Sequence, residues 1–225
     1  MTTMQTNRFW TKLAELLLLA VFGTVPILMS SLMDRGFEIA KHSFAEPAAF
    51  LALASVLLAS GWSWIARTTL ATQIAAACLT TFLGLAVVST LLAESQALAV
   101  FGGYYRREGL LAWASYAAFF FAVLGWASTR SASRLTGLLD LMLLASVIPA
   151  GYAIQQRLGL DFFFVVNLDP TRPNGTLGSP LFLGAYLAIL MPLTAIRGWH
   201  ERRSPGLWFW LAVGGLQLAA LLLTQ

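Results

Sequence analysis

The chain has 225 residues, 58% of them apolar and 11% charged, with a mean hydropathy of +0.74 and a formal net charge of +4. Soluble domains run about 45–50% apolar and about 25% charged, so this chain cannot cover a globule with polar surface, and lipid is the solvent it fits. The composition excludes a soluble enzyme, a nucleic-acid module, a disordered tail and a disulfide scaffold. The basic residues sit in short loops between apolar runs rather than in a patch, and the single cysteine, Cys78, has no partner within the chain.

In chain order, seven stretches reach the length a helix needs to cross the hydrocarbon core, about 17–25 residues. They are Leu13–Met33, Glu46–Ala66, Ile74–Ala93, Leu110–Ser128, Thr136–Gln156, Pro180–Ile196 and Leu207–Leu223. All are continuous rather than alternating, which predicts helices and not barrel strands. The expected fold is all-α: a polytopic transmembrane helical bundle of about seven spans, with an irregular periplasmic loop before the sixth. Residues 1–225 read as one integral membrane domain. Arg8 and Lys12 precede the first stretch as they would a signal peptide. It is too long for one, carries Glu15, and ends in Ser30-Ser31-Leu32-Met33 without a small-x-small cleavage pattern, so it reads as a retained helix. Pro149 and Gly151 predict a kink in the fifth span.

Charge placement gives the orientation. The amino-terminus and the even-numbered loops carry Arg8, Lys12, Arg67, Arg130, Arg134, Arg197, Arg202 and Arg203 against the single acid Glu201. The odd-numbered loops carry Arg35, Lys41, Arg106, Arg107, Arg157 and Arg172 together with most of the acids. Trp10, Trp62, Trp64, Trp126, Trp199, Trp208 and Trp210 lie at the more basic ends. This places the amino-terminus in the cytoplasm of a cell whose inner membrane holds the chain, and puts the two longest loops outside. After an odd number of spans the chain stops at Leu-Leu-Leu-Thr-Gln with no polar anchor, the expectation being that it is the amino-terminal portion of a longer protein.

Those two outside loops carry the sequence character. The third reads Ala-Val-Phe-Gly-Gly-Tyr-Tyr-Arg-Arg-Glu-Gly over 99–109. Arg106 and Arg107 offer forked donors that match phosphate oxygens, and Glu108 could pair with one of them and fix its aim. The competing reading is an interfacial anchor, arginines reaching lipid phosphate beside Tyr104 and Tyr105. The fifth loop runs from Asp161 to Ser179. Its Phe162–Val166 segment is too short to span, Pro170 and Pro173 bar an ordinary helix, and Asn174-Gly175 and Gly178 signal turns. Pro180 suits the first position of the sixth helix, whose free N–H groups, with Arg172 near, could meet an anion; plain turn-and-cap grammar accounts for the same residues without a ligand.

Elsewhere polar residues in the apolar runs are few. Glu15 is placed to pair with Lys12, and Asp140 with Arg134, both at the interface. His42 and His200 are lone histidines without a second ligand at metal spacing, so no zinc site is expected. There is no phosphate-loop, HExxH or GxSxG motif, and no cofactor or metal is implied.

The loop Arg106-Arg107-Glu108-Gly109-Leu110 leading into a helix, and the later Arg172-Pro-Asn-Gly-Thr-Leu-Gly-Ser-Pro-Leu-Phe-Leu-Gly-Ala-Tyr186, resemble the O-antigen ligase and polymerase family of membrane glycosyltransferases. The resemblance covers roughly residues 95–225. Family members tend to show an aromatic where this chain has Leu177, and asparagines where it has Ser179 and Leu181. The resemblance implies transfer of a glycan from undecaprenyl pyrophosphate to an acceptor hydroxyl, a glycan or a lipid, on the periplasmic side. No metal takes part, so arginines and helix amino-termini must meet the charge of the leaving pyrophosphate. By that resemblance Arg106, Arg107, Glu108, Arg172, Asn174 and Gly175 are the substrate-binding candidates, Arg107 being favoured over Arg106. No catalytic residue is assigned. The family's usual continuation, with a histidine thought to act as base, has only Leu223-Thr224-Gln225 to match its start, so the chain alone is expected to be inactive. The alternatives are a transporter or flippase subunit for an anionic lipid-linked substrate, and a non-catalytic membrane scaffold.

Overall fold

The computed structural model describes residues 2–29, 36–65, 68–103, 107–160 and 172–224, with backbone alone at 2–6 and 36. Among the described residues the regular structure is entirely helical, without strands: α1 (Thr2–Thr24), α2 (Gly36–Ser60), α3 (Leu70–Leu91), α4 (Gln96–Phe101), α5 (Leu110–Ala127), α6 (Ala132–Ala145), α7 (Val147–Arg157), a 3-10 turn at Gly175–Leu177, α8 (Pro180–His200) and α9 (Gly206–Leu223). Among the described residues, six segments are long and apolar enough to cross a membrane: Phe37–Ser60, Leu70–Leu91, Leu110–Ala127, Ala132–Arg157, Pro180–His200 and Gly206–Leu223.

The expected first span differs. α1 starts at Thr2 and stops at Thr24, not Met33. The residue before a proline avoids the helical region and proline has no N–H to donate, and Pro26 accordingly sits in a turn, with the N–H groups of Ile27 and Leu28 both donating to the Thr24 carbonyl. Arg8 and Lys12 lie in the first half of α1 and Glu15 just past its middle, so its apolar part is short.

The chain divides into two compact units, one of residues 1–21 and 42–136, the other of 22–41 and 137–225. In the first, Ala14, Leu18 and Val21 form a buried stripe at helical spacing on α1. Buried Ala48, Ala49, Ala52 and Val56 line α2, and buried Ala112, Ala118, Ala122 and Trp126 line α5. Small side chains let helices approach closely where lipid supplies no hydrophobic drive between them. α3 buries none of its residues and is apolar all round, as a helix facing hydrocarbon should be.

In the second unit, α6 and α7 are one line of helix interrupted at Ser146. The break falls just before Pro149, whose ring displaces the carbonyl four residues earlier; the Ser146 hydroxyl donates to the Leu143 carbonyl at 2.6 Å. α8 and α9 pack antiparallel, with Gly198 against Trp210, Thr194 against Gly214 and Gly184 against Thr224. Ala150, Ala153, Leu183, Leu187 and Ala220 form one buried core and Leu143, Leu190, Trp210 and Val213 another. Gln217 is buried between three helices: it accepts the Thr194 hydroxyl at 2.9 Å and donates to the Ser146 hydroxyl at 2.7 Å.

Candidate functional site

In the first unit the loop between α4 and α5 closes on itself backbone to backbone. A Cβ on Gly102 would lie 2.5 Å from the Glu108 nitrogen, and one on Gly109 would lie 2.3 Å from the Val100 carbonyl oxygen. Only glycine fits at that neck. Beyond it, Arg107 holds φ at +50°, uncommon for a side-chain-bearing residue; its N–H donates to the Gly103 carbonyl at 2.8 Å. Arg106, Tyr104 and Tyr105 lie outside the described residues. Glu108 is exposed, and the ion-pair partner of Arg107 is Glu46, with Nη2 4.0 Å from Oε2.

Glu46 is buried on α2, and its Oε1 sits 2.9 Å from Nδ1 of His42, one helical turn earlier. The imidazole, 13% exposed, also approaches the Tyr116 ring, with centroids 6.4 Å apart. A carboxylate can only accept a hydrogen bond, so Nδ1 carries the proton in the neutral ring and Nε2 keeps its lone pair. The result is a histidine oriented by a buried carboxylate beside an arginine, the arrangement of a general base with its orienting group. On sequence alone His42, in an outside loop with no motif around it, is placed neither as a metal ligand nor as the base that takes the acceptor proton. The signal that could have found the pair is the four-residue spacing to Glu46 at the start of an apolar run. Among the described residues no group of three or more His, Cys, Asp or Glu could hold a metal ion.

In the second unit, residues 172–179 are hydrogen-bonded to α2, α7, the end of α9 and the turn at Pro26. Arg172 donates through Nε and Nη2 to the Thr224 carbonyl at the end of α9, at 3.0 and 2.8 Å. The fork proposed for pyrophosphate thus meets a helix carboxyl-terminus, where a cation is favoured. Gly175, at φ +57°, donates its N–H to Gln156 Oε1 at 2.8 Å. The Thr176 hydroxyl donates to the Pro26 carbonyl, and the Thr176 carbonyl accepts from Lys41 Nζ at 2.7 Å. Gly178 lies flat against the Phe37 ring, so a Cβ there would come within 2.7 Å of it. Pro180 occupies the first turn of α8 as expected, and the Ser179 side chain makes no capping bond. The loop is a packed strap with its backbone turned inward. Two buried polar atoms stay unpartnered, one on the loop and one on α7 against it: Asn174 Oδ1, on a residue 5% exposed, and Gln156 Nε2, on a residue 8% exposed. Gln156 was not a sequence candidate. The Asp161–Thr171 part of this loop, including Phe162–Val166, lies outside the described residues.

The remaining polar residues choose partners other than those expected. Glu15 pairs with Arg130 and Arg134, not Lys12. Asp140 pairs with Arg197, not Arg134, and Arg197 also holds Glu201 at 2.8 Å. The Ser204 hydroxyl and the Arg197 guanidinium hold the Glu201 carboxyl below the usual carboxylate range. No protein family, curated protein or solved structure matches this chain.

Proposed function

We propose that the chain is the membrane-embedded part of a polytopic glycosyltransferase, similar to O-antigen ligases and polymerases, that moves a glycan from undecaprenyl pyrophosphate to an acceptor hydroxyl. The reading takes it to lie in a cell inner membrane, with a cytoplasmic amino-terminus and periplasmic chemistry. Seven crossings are proposed, with α1 the seventh because the buried Ala14, Leu18 and Val21 stripe packs it inside its unit. One observation carries the reading: His42 is oriented by buried Glu46 next to Arg107, on the loop whose residues resemble the family.

Transfer breaks the bond between the anomeric carbon and pyrophosphate and forms one to the acceptor oxygen. In this reading His42 Nε2 takes the hydroxyl proton in place of the histidine the resemblance expects further along. The chain is thus proposed to be active by itself, against that expectation, and the resulting imidazolium is stabilised by Glu46. The departing pyrophosphate keeps the electron pair, and Arg107, with Arg106 beside it in sequence, meets its charge. A transporter would instead want polar groups free along a path across the bilayer. The buried Thr194–Gln217–Ser146 set does not favour that reading, since Gln217 is hydrogen-bonded at both its oxygen and its nitrogen.

The test is binding of a polyprenyl-pyrophosphate-linked glycan to the purified chain in nanodiscs. Arg107→Lys keeps the charge and loses the fork, and should weaken binding about tenfold or more. Equal binding by wild type and Arg107→Lys, or none by wild type, would remove the reading.

A further inference from the structure

The turn between α8 and α9, residues 201–205, takes no part in the glycosyltransferase reading, and it sets two exposed arginines beside two exposed tryptophans. It is closed by its own bonds. The Ser204 N–H donates to the Glu201 carbonyl at 2.9 Å, and the Gly206 N–H to the Ser204 hydroxyl at 3.2 Å. The Glu201 carboxylate accepts from Arg197 Nη1 at 2.8 Å and from the Ser204 hydroxyl. Arg197 also holds Asp140, so the same half-buried arginine engages both acids at this end of the second unit.

Arg202 and Arg203 are left over. Both are exposed, and among the described residues no carboxylate pairs with either. Asp140 and Glu201 against Arg197, Arg202 and Arg203 leave one net positive charge, and an arginine does not lose its proton. Arg202 is also held in place. Its guanidinium lies 4.9 Å from the centroid of the Trp199 ring, and Nη1 donates to the Trp199 carbonyl at 3.2 Å.

The surface beneath these charges is graded. Ile196, Trp199 and Arg202 follow at three-residue spacing toward and past the end of α8, and all three are exposed. On α9 Leu211 and Trp208 repeat the aliphatic and indole steps. Trp199 is 67% exposed and Trp208 74%, more than any packing role requires. Aliphatic, indole and guanidinium, in that order outward, match the hydrocarbon, interface and phosphate layers of a bilayer. A zwitterionic headgroup carries its own cation next to the phosphate. A cation without a protein partner therefore favours headgroups of net negative charge.

We propose that the α8–α9 turn is a docking surface for anionic phospholipid headgroups, held by Arg202 and Arg203 with Trp199 and Trp208 seated at the interface.

The test uses the purified chain with its tryptophans replaced by 5-fluorotryptophan, the two resonances being assigned with Trp199→Phe and Trp208→Phe. In neutral detergent micelles the protein is titrated with dioctanoyl phosphatidylglycerol, with dioctanoyl phosphatidylcholine, or with inorganic phosphate. Saturable shifts of both resonances at lower concentrations of phosphatidylglycerol than of either other probe support the proposal. Arg202→Gln and Arg203→Gln change only exposed side chains, so the fold should survive, and each should weaken that binding about fivefold. Arg157→Gln removes the same charge at the end of α7, which packs against Gly175–Leu177 and so lies at the opposite end of α8; it should leave the affinity unchanged. Phosphatidylcholine or inorganic phosphate acting as strongly as phosphatidylglycerol would overturn the proposal. So would resonances indifferent to phosphatidylglycerol, unchanged affinity in both Arg202→Gln and Arg203→Gln, or an equal loss in Arg157→Gln.

Discussion

Arg197 on α8 grips Asp140 on α6 with two parallel hydrogen bonds, Nε to Oδ1 at 2.7 Å and Nη2 to Oδ2 at 3.3 Å. The guanidinium also lies 5.4 Å from the centroid of the Trp210 ring on α9, so one side chain joins three helices of the second unit. Both ends of the pair are partly exposed, which places its worth between a surface pair and a buried one. Asp140→Asn should destabilise the purified protein by about 1–3 kcal/mol. Arg197→Lys should cost nearly as much, because an ammonium cannot bridge both oxygens. A double-mutant cycle followed by thermal unfolding in detergent measures the coupling, and zero coupling would contradict this role.

Two glycines one helical segment apart should respond in opposite directions to alanine. Gly175 sits at φ +57° with the Pro149 carbonyl 2.9 Å from where a Cβ would stand, so Gly175→Ala should destabilise by about 1–3 kcal/mol. Gly151 lies inside α7 with nothing near its missing Cβ, so Gly151→Ala should stabilise by about 0.5–1 kcal/mol. Thermal unfolding of the two variants beside wild type checks both signs.

The proposed orientation is open to direct labelling. In a Cys78→Ala background, a cysteine at Glu94 should react with an impermeant thiol reagent on intact spheroplasts, and one at Ser133 should react only after lysis. The reverse pattern would place the arginine loop in the cytoplasm and leave a periplasmic transfer without its site.

Much of the architecture was legible because it follows from composition. Apolar runs of spanning length needed no partner to be recognised, and α5, α8 and α9 begin within one residue of the expected runs. α1 was misjudged at its far end because Pro26 counted as one more apolar residue rather than as a stop. The interruption of the fifth span was legible from Pro149, but its place at Ser146 depends on the carbonyl four residues back. Charge pairing was the least legible part. Sequence proximity proposed Lys12 for Glu15 and Arg134 for Asp140, while helix packing brings in Arg130 with Arg134 and Arg197 respectively. The motif around Gly175 was visible, yet its role as a packed strap was not, since Gln156, Lys41 and Pro26 reach it from distant parts of the chain. His42 was set aside both as a metal ligand and as a base because no motif surrounds it in its loop; its carboxylate partner stands one turn away on the same helix.

The most direct measurement is single-turnover transfer of a glycan from undecaprenyl pyrophosphate to an acceptor by the reconstituted chain, wild type against His42→Gln. Glutamine keeps a polar side chain of similar reach and cannot take a proton at neutral pH. The account predicts transfer by wild type and a loss of about 10²–10⁴-fold in His42→Gln, the usual contribution of a general base. Transfer at the wild-type rate in His42→Gln, or no transfer by wild type, would contradict it.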